Sequence, residues 1–321
     1  MKIQLVSLAA FFCSVGVATA STTALDVALP YNYFVLGNFS AAPDITGRVA
    51  IGGSLTSSGL TVGSDLPNSS DPYSLTAAPI SLYAGIITGG GSDNINKGNV
   101  YVAGSNNANF NFNGGGSKVA SCGGNCIDFI SAATTLKSYS TQLSGLAQNG
   151  TIGPDSNPSN TLLKGTNSTL NVFNLTAAQF NNATLDIVTP ANSTTVVNVS
   201  GNGISATGGG LYINGNQASG TQSAGAKILF NFASTTNVGI NMQFSASILA
   251  PYANYNGTGQ VDGNVIVGSV TASGETHDAL FTGAGNLPAA ITATPEPSTA
   301  FLLSGAMILL VAQGLRKRFT R

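Results

Sequence analysis

Short apolar runs that end in glycine constrain the fold of this chain more than any other feature of its sequence. Examples are residues 33–37, 47–53 and 99–104, and the same texture returns between residues 227 and 270. Each run has strand-forming residues for about four positions, and the glycine that follows can adopt a positive φ that other residues resist. Such strands can turn a corner at each end and stack in parallel. The sequence therefore predicts a mainly β fold, an irregular right-handed β-solenoid-like stack, with a sandwich-like stack as the alternative.

One segment has the periodicity of a helix instead. Its apolar residues recur at intervals typical of one helical face, and Gly150 follows as a stop: Ile127, Ile130, Leu136, Tyr139, Leu143 and Leu146. We expect one long α-helix that flanks the strand stack and covers one side of it. A second, short helix is expected around residues 176–183, where Thr176 can cap the first turn. No strict repeat period is visible, which favours an irregular solenoid over a regular repeat array.

The composition argues against a nucleic-acid partner and for a packed core. Charged residues make up only 7% of the chain, against about 25% in typical proteins. There is no basic stripe that would attract nucleic acid, so no nucleic-acid partner is expected. The hydrophobic share of 43% argues for a packed core rather than disorder.

The N-terminal residues 1–20 have the three parts of a secretory signal peptide. Lys2 supplies the charge, residues 5–17 are apolar, and residues 18–20 form an Ala-Thr-Ala cleavage site. The expected cleavage lies between Ala20 and Ser21. Residues 21–293 are then expected to form an extracellular domain, exported across the inner membrane.

The C-terminal residues 294–321 combine a short motif, an apolar segment and a basic end. Pro295, Glu296 and Pro297 precede an apolar run over residues 299–315, and four basic residues lie within the last six positions. The basic end would remain in the cytoplasm, and the apolar run is short against the roughly 20 residues of a stable span. This arrangement resembles the PEP-CTERM sorting signal of Gram-negative bacteria. The resemblance implies transient retention of this transmembrane segment in the inner membrane, processing by an exosortase, and delivery to the envelope, outer surface or extracellular matrix.

A second resemblance covers residues 26–285. Its motifs occur in order at residues 33–38, 47–53, 196–201, 247–251 and 274–283, with the predicted helix between the second and the third. Together they resemble the choice-of-anchor A family, in which one extracellular domain is joined to varied C-terminal anchors. The resemblance implies a cell-surface or matrix role and brings no catalytic residues. Residues 247–250 and 261–265 are also similar to a short part of ice-binding β-solenoids.

Two cysteines remain after removal of the signal peptide. Cys122 and Cys126 enclose Gly123, Gly124 and Asn125, and two nearby thiols in an oxidising compartment favour a disulfide. Redox or metal chemistry is the alternative. A metal site would need more ligands than these, and the single histidine is far away in sequence, so we expect no metal and no cofactor.

The best candidate for catalysis is the segment that contains Glu275, His277 and Asp278. If the segment is extended, Glu275 and His277 lie on one face, and Asp278 could orient the imidazole as part of a general base. The alternative is a polar turn that closes the last coil. No second constellation and no Gly-x-Ser-x-Gly elbow accompany the segment, so we expect the protein not to be an enzyme.

Two further motifs have structural alternatives. Residues 93–96 resemble a fragment of a calcium loop, but the twelve-residue pattern with its terminal Glu is missing, and Asp and Asn in turns usually bond their own backbone. The three glycine triplets at residues 89–91, 114–116 and 208–210 lack the residues of a phosphate loop and are interpreted as flexible turns.

The remaining candidate is a rigid surface of Thr, Asn and Ser. Its uncharged donors and acceptors, with Tyr252, Tyr255 and Phe112 nearby, would suit sugar hydroxyls or ordered water. The alternative is a surface kept soluble without charge. We expect an exported protein with a structural or adhesive role in exopolysaccharide or biofilm; a glycan-acting enzyme using Glu275, His277 and Asp278, and an ice-binding solenoid, are the alternatives.

Overall fold

The structure is a computed structural model that describes residues 23–56, 59–66, 80–218 and 224–291. The chain divides into two units, Met1–Ala289 and Ala290–Arg321. Within the described residues, the helices and strands belong to the first unit. The predicted signal cleavage at Ala20 and Ser21, the sorting motif Pro295, Glu296 and Pro297, and the apolar tail lie outside the described residues. No helix among the described residues is both long enough and apolar enough to cross a membrane.

Strands dominate the described residues, which also include one long and one short α-helix. The helices are α1, Phe129–Ser144, and α2, Ala177–Asn181. The first eleven strands are β1 Tyr33–Val35, β2 Asp44–Ile45, β3 Val49–Leu55, β4 Thr61–Val62, β5 Ile80–Ile95, β6 Asn99–Val102, β7 Asn106–Phe112, β8 Lys118–Val119, β9 Thr151–Pro154, β10 Asn160–Lys164 and β11 Leu170–Thr176. The others are β12 Thr184–Val188, β13 Thr194–Ser200, β14 Ile204–Ala206, β15 Leu211–Ile213, β16 Asn216–Gln217, β17 Ile228–Asn231, β18 Asn237–Ile240, β19 Ser247–Tyr255, β20 Val261–Asp262, β21 Val265–Val270 and β22 Thr276–His277.

The large sheet is parallel throughout and consists of three ladders. The first ladder has the order β11-β13-β17-β19-β21-β1-β3-β5-β6-β8. In it, Tyr33 pairs with Val265 on one side and with Val49 on the other. The N-terminal strand therefore lies beside one of the last strands of the chain, in the middle of the stack.

The other two ladders are formed by later parts of the same coils. The second joins β14, β18 and the ends of β19 and β21 to the end of β3 and to β5, with Phe39 bridging Val270 and Leu55. The third has the order β20-β22-β2-β4-β5-β7. A separate small sheet has the order β16-β15-β12-β10-β9. The predicted mainly β stack of parallel strands is confirmed; its right-handed sense stays a prediction.

A coil length of about 17 residues, which the sequence did not reveal, emerges from the contacts between neighbouring coils. Side chains 17 positions apart are hydrogen-bonded in the pairs Asn94 and Asn111, Asn96 and Asn113, and Asn254 and Thr271. Other hydrogen bonds between neighbouring coils join residues 15, 16 or 18 positions apart, and the 15-residue contact, Ser269 to Asn254, lies in the same pair of coils as Asn254 and Thr271. Because the offset varies, the repeat has no fixed period in the sequence.

Inward side chains of all three ladders form one continuous apolar core. It includes an aromatic cluster of Phe180, Phe230, Phe232 and Phe244, in which the ring centroids of Phe230 and Phe244 are 4.8 Å apart. Phe180 belongs to α2, so the short helix closes the core at this point. The predicted second helix is confirmed, and its N-cap Thr176 forms a capping box with Gln179.

The long helix is confirmed, but part of its predicted apolar face is wrong. α1 begins at Phe129, whose preceding residue Asp128 caps the helix by accepting bonds from two backbone amides. Ile127 therefore precedes the helix, and Ile130 is 84% exposed. The buried residues are Ala132, Leu136, Tyr139, Ser140 and Leu143. Phe129, which the pattern omitted, supplies the first apolar contact instead.

One glycine triplet is not a turn. Residues 89–91 lie within the long strand β5, at a register shift between Ile87 and Gly91. The absence of side chains there suits a β-bulge, which lets one strand serve two successive ladders. Residues 114–116 and 208–210 lie in loops, as predicted.

Candidate functional site: a charge-free face

The outer side of the first ladder is not available as a binding surface along α1, because the helix covers it there. Phe34, Leu249 and Ile266 alternate with core residues and are buried. The ring of Phe129, at the start of α1, stacks on Phe34 at 5.3 Å and contacts Tyr83 at 5.6 Å. The helix thus seals the apolar outer residues of this ladder.

The second ladder has an outer surface whose described positions carry no charged side chain. Its core residues alternate with outward positions that are exposed or half-buried and that form two columns across the strands. We call these positions the neutral face: Asn38, Ser40, Ser54, Thr56, Ile86, Thr88, Ser105, Asn107, Asn237, Asn254, Asn256, Ser269 and Thr271. Seven successive strand positions contribute, so at about 4.8 Å per step the face extends over roughly 29 Å.

Hydrogen bonds between coils order part of the neutral face. The amide of Asn254 donates to the hydroxyl of Thr271 at 2.8 Å and accepts from Ser269 at 3.0 Å. The side-chain oxygen of Asn38 accepts from the backbone amide of Ser54 at 3.0 Å. These side chains are held in place before any ligand arrives, which lowers the entropy that binding must overcome.

The third ladder is divided between a neutral half and an acidic half. In the neutral half, Asn111 donates to Asn94 at 3.1 Å and Asn113 donates to Asn96 at 3.0 Å. In the acidic half, Asp44 pairs with Thr61 on one side and lies near Glu275 on the other. Burial and the charges of Glu275 and Asp65 raise the pKa of Asp44, although His277 opposes this effect.

His277 lies between two carboxylates in the acidic half. Its Nδ1 is 2.7 Å from Oδ1 of Asp262, and its Nε2 is 3.1 Å from Oε1 of Glu275. Burial lowers the pKa of His277, but the hydrogen bonds and charges of Asp262 and Glu275 outweigh it, so the pKa is raised. The geometry suits an imidazolium that donates from both nitrogens.

The predicted role of Asp278 is wrong. Asp262, on the neighbouring coil, is the carboxylate that orients the imidazole. Asp278 is buried, and a Cβ placed on Gly47 would lie 2.6 Å from its Oδ1, so its carboxylate belongs to the packed interior. Asp262 is itself fully buried and accepts a 2.5 Å bond from Ser245, which keeps it from a substrate. The arrangement of Glu275, His277 and Asp262 therefore suits a link between coils better than a catalytic base.

In the calcium-like segment at residues 93–96, the carboxylate of Asp93 binds backbone amides of a neighbouring coil. Oδ1 of Asp93 accepts bonds from the amides of Gly59 and Leu60, both at 3.0 Å. Burial raises the pKa of Asp93, and these two bonds oppose the shift. Within the described parts of the chain, no group of three or more His, Cys, Asp or Glu side chains could hold a metal ion.

Of the three aromatic residues expected near the polar surface, only Tyr252 is well exposed, at 46%. Nζ of Lys137 lies 5.1 Å from the centre of its ring, which is a cation–π contact between β19 and α1. Tyr255 is fully buried in the core, and Phe112 is half-buried and packs against the core. The prediction of Tyr255 as a surface aromatic is therefore wrong, because its position in β19 points inward.

Cys122 and Cys126 are joined by a disulfide, with their Cα atoms 5.1 Å apart. The bridge encloses the short turn Gly123–Asn125 just before α1. It lies outside the neutral face and acts locally.

The sequence alone missed most of the neutral face. Ser40, Thr56, Thr88 and Thr271 are far apart in the chain, and nothing in their local patterns joins them. Each of these residues lies next to a buried apolar residue, and each is Ser or Thr. That alternation of an apolar residue with a Ser or Thr is the signal that could have found them. Reading that signal needs the register between coils, which only the folded chain supplies.

Comparison with protein families matches residues 24–278 to the family described as "Putative Ice-binding-like adhesive domain". The chain belongs to this family. The match supports an adhesive or ice-binding-like surface role, and with it an extracellular or surface location. It does not test the resemblances to choice-of-anchor A proteins or to PEP-CTERM tails, which stay predictions. Among curated proteins, no significant match was found.

Two solved structures are similar to this adhesive domain. One is an ice-binding protein from the Antarctic ascomycete Antarctomyces psychrotrophicus, at 10% identity and a TM-score of 0.33, covering 80% of this chain and 95% of the other. The other is an ice-binding protein from an Antarctic bacterium of the Flavobacteriaceae, at 13% identity and a TM-score of 0.30, covering 82% of this chain and 50% of the other. Both similarities are low, and the family assignment stands on the family match.

Proposed function

We propose that the protein is an exported, non-enzymatic adhesive component of the cell surface or extracellular matrix that attaches through its neutral face to exopolysaccharide. The observation that carries the proposal is the column of exposed Ser and Thr hydroxyls on successive coils, Ser40 to Thr56 to Thr88, without any charge among the outward positions. Hydroxyl and amide groups donate and accept without attracting counter-ions, which suits neutral sugar chains. Family membership supports the adhesive role.

The proposal includes the route to the surface. The signal peptide is cleaved between Ala20 and Ser21, and an exosortase of a Gram-negative bacterium processes the tail near Pro295, Glu296 and Pro297. Mass spectrometry of the protein recovered from the producing cells tests this route. Loss of both ends is the expected result, whereas an intact polypeptide in the cytosol would contradict export.

Attachment is tested by binding of the purified secreted protein to the exopolysaccharide of its producer. The double variant Ser40→Lys with Thr88→Lys places two charges on the neutral face, and we expect it to lose most of the binding. The matched control is Ser131→Lys with Ser138→Lys, which adds the same charge at exposed positions of α1. Equal binding by both variants, or no binding by the unaltered protein, would reject the proposal.

Ice binding is a second candidate, favoured by the regular spacing of Thr and Ser on the neutral face and by the family description. It predicts that the unaltered protein slows ice recrystallisation and that the Ser40→Lys, Thr88→Lys variant does not. Recrystallisation unchanged by the unaltered protein would remove this candidate and leave the adhesive proposal standing.

A further inference from the structure

A cleft lies where α1 ends above the first ladder, and none of its lining residues belongs to the neutral face. Its volume is about 550 Å³, within the range of about 300 to 1,000 Å³ typical of ligand pockets. It exists because α1 stops at Ser144 while the strands beneath it continue, β11 to Thr176 and β13 to Ser200. Its lining residues are Thr141, Ser144, Asn174, Leu175, Asn198, Val199, Ser200, Asn231, Ala233 and Ser234.

The floor of the cleft is an asparagine ladder across β11, β13 and β17. Asn174 pairs with Asn198 and Asn198 with Asn231 in the register of the strands. The amide of Asn198 donates to Asn174 and to the carbonyl of Leu143, both at 3.0 Å. The amide of Asn231 donates to Asn198 at 2.8 Å and to the carbonyl of Ser140 at 2.9 Å. Both inner amide groups have therefore used their protons, and the floor is rigid.

Three hydroxyls around the cleft donate their hydrogen to carbonyl groups of the protein. Thr141 donates to the carbonyl of Lys137 at 3.0 Å, Ser144 to that of Thr141 at 2.8 Å, and Ser200 to that of Leu175 at 3.2 Å. Each of these oxygens retains lone pairs that can accept a hydrogen bond. The cleft consequently offers acceptors in preference to donors.

Charge is absent from the lining. None of the ten lining residues is ionisable. The nearest cation along α1, Lys137, lies over the ring of Tyr252. An anionic ligand would meet oxygen lone pairs and no cation, which disfavours uronic acids, sulfates and phosphates. A ligand rich in hydroxyl donors and without charge matches this surface.

We infer that the cleft is a binding site for one or two units of a neutral saccharide. The inference rests on the proposed attachment to polysaccharide and gives that attachment a second, distinct site. Sugar hydroxyls donate to the oxygens of Thr141, Ser144 and Ser200, and the exposed hydroxyl of Ser234 completes the rim.

The test is titration calorimetry of the full secreted protein with cellobiose, lactose and N,N′-diacetylchitobiose, with glucuronic acid as the anionic probe. At least one neutral probe is expected to bind at millimolar concentration. Ser234→Trp, which fills the cleft from an exposed rim position, is expected to weaken that binding by about tenfold or more. Ser131→Trp, an exposed position far from the cleft on α1, is the matched control and is expected to bind as the unaltered protein does.

Four outcomes overturn the inference. These are no binding of any neutral probe, unchanged binding by Ser234→Trp, equal losses in Ser234→Trp and Ser131→Trp, and glucuronic acid binding as tightly as the neutral probes. The two proposals can fail separately. Exopolysaccharide binding that survives Ser234→Trp but not Ser40→Lys with Thr88→Lys, without binding of small sugars, rejects the cleft alone. Binding of small sugars without binding of exopolysaccharide rejects the neutral face alone.

Discussion

The side chains of Asn198 and Asn231 are joined by a 2.8 Å hydrogen bond that runs between two parallel strands and lies directly beneath a helix. Each of the two amides also donates to a carbonyl of α1, at Leu143 and at Ser140. Both residues are buried, at 6% and 1% exposure. The pair therefore attaches the C-terminal half of α1 to the sheet through polar contacts, while Phe129 attaches the N-terminal end through aromatic ones.

Asn231→Leu should destabilise the protein strongly. The substitution leaves the carbonyl of Ser140 and the side-chain oxygen of Asn198 buried without this donor, which costs about 1–3 kcal/mol in the free energy of unfolding. Urea denaturation measures the loss. Asn109→Leu, at an exposed position of β7, is the control and should change stability by less than about 0.5 kcal/mol. Similar stability of the two variants would show that the ladder does not hold the helix.

Phe230→Ala should be among the most damaging single changes. The ring of Phe230 is fully buried and contacts those of Phe180 and Phe244 at 5.6 and 4.8 Å. Removing it deletes apolar contacts and leaves a cavity, at a cost of about 3–5 kcal/mol. Phe230→Leu refills most of the space, so its loss in the free energy of unfolding should be less than half of the loss in Phe230→Ala. Urea denaturation measures both losses. If the two variants were equally stable, the cluster would not be tightly packed.

Stability should fall as pH rises through the titration of His277. The folded state raises the pKa of this side chain, so it binds the proton more tightly than the unfolded chain does. The stabilisation is therefore complete below the ordinary value of 6.5 and is lost as the pH rises through the raised value. The groups that face the ring are Asp262, Glu275 and Gln260, with Asp44 close enough to act through its charge.

Melting temperatures between about pH 5 and 9 check this prediction. The unaltered protein should melt at progressively lower temperature above neutral pH, and His277→Gln should remove most of the slope. Asp44, whose pKa is also raised, contributes in the same direction but in the acid range of carboxyl groups, so Asp44→Asn should keep the slope above neutral pH. A slope unchanged in His277→Gln would assign the effect to other groups.

Loss of the disulfide should have a small effect. The bridge between Cys122 and Cys126 closes a loop with a sequence separation of only 4, for which the loss of chain entropy stabilises the fold by about 2 kcal/mol at most. The double variant Cys122→Ser, Cys126→Ser should fold, melt a few degrees lower, and bind exopolysaccharide as the unaltered protein does. Loss of binding in this variant would show that the turn takes part in attachment.

Parts of this fold were predictable because their signals are local. The capping residue Thr176 lies three positions before Gln179, so the short helix could be found from neighbouring residues alone. Strands such as β12 and β13 were equally visible, since a strand needs only a few adjacent β-branched and apolar residues. The flanking helix was found by its period, although Ile130 misled the assignment of its buried face because it fitted the spacing and yet lies on the exposed side.

The sequence by itself determined the chemical character of this protein: strands of short length, glycines at the corners, two cysteines close enough to pair, and a surface almost without charge. Only the tertiary structure decided which residues meet. It placed Asp262 instead of Asp278 on His277, turned Tyr255 into the core, assembled the neutral face from separate coils, and left the cleft where α1 ends. The physical reason is that parallel pairing joins residues 15 positions or many more apart, and a shift of one residue would turn every side chain to the other face.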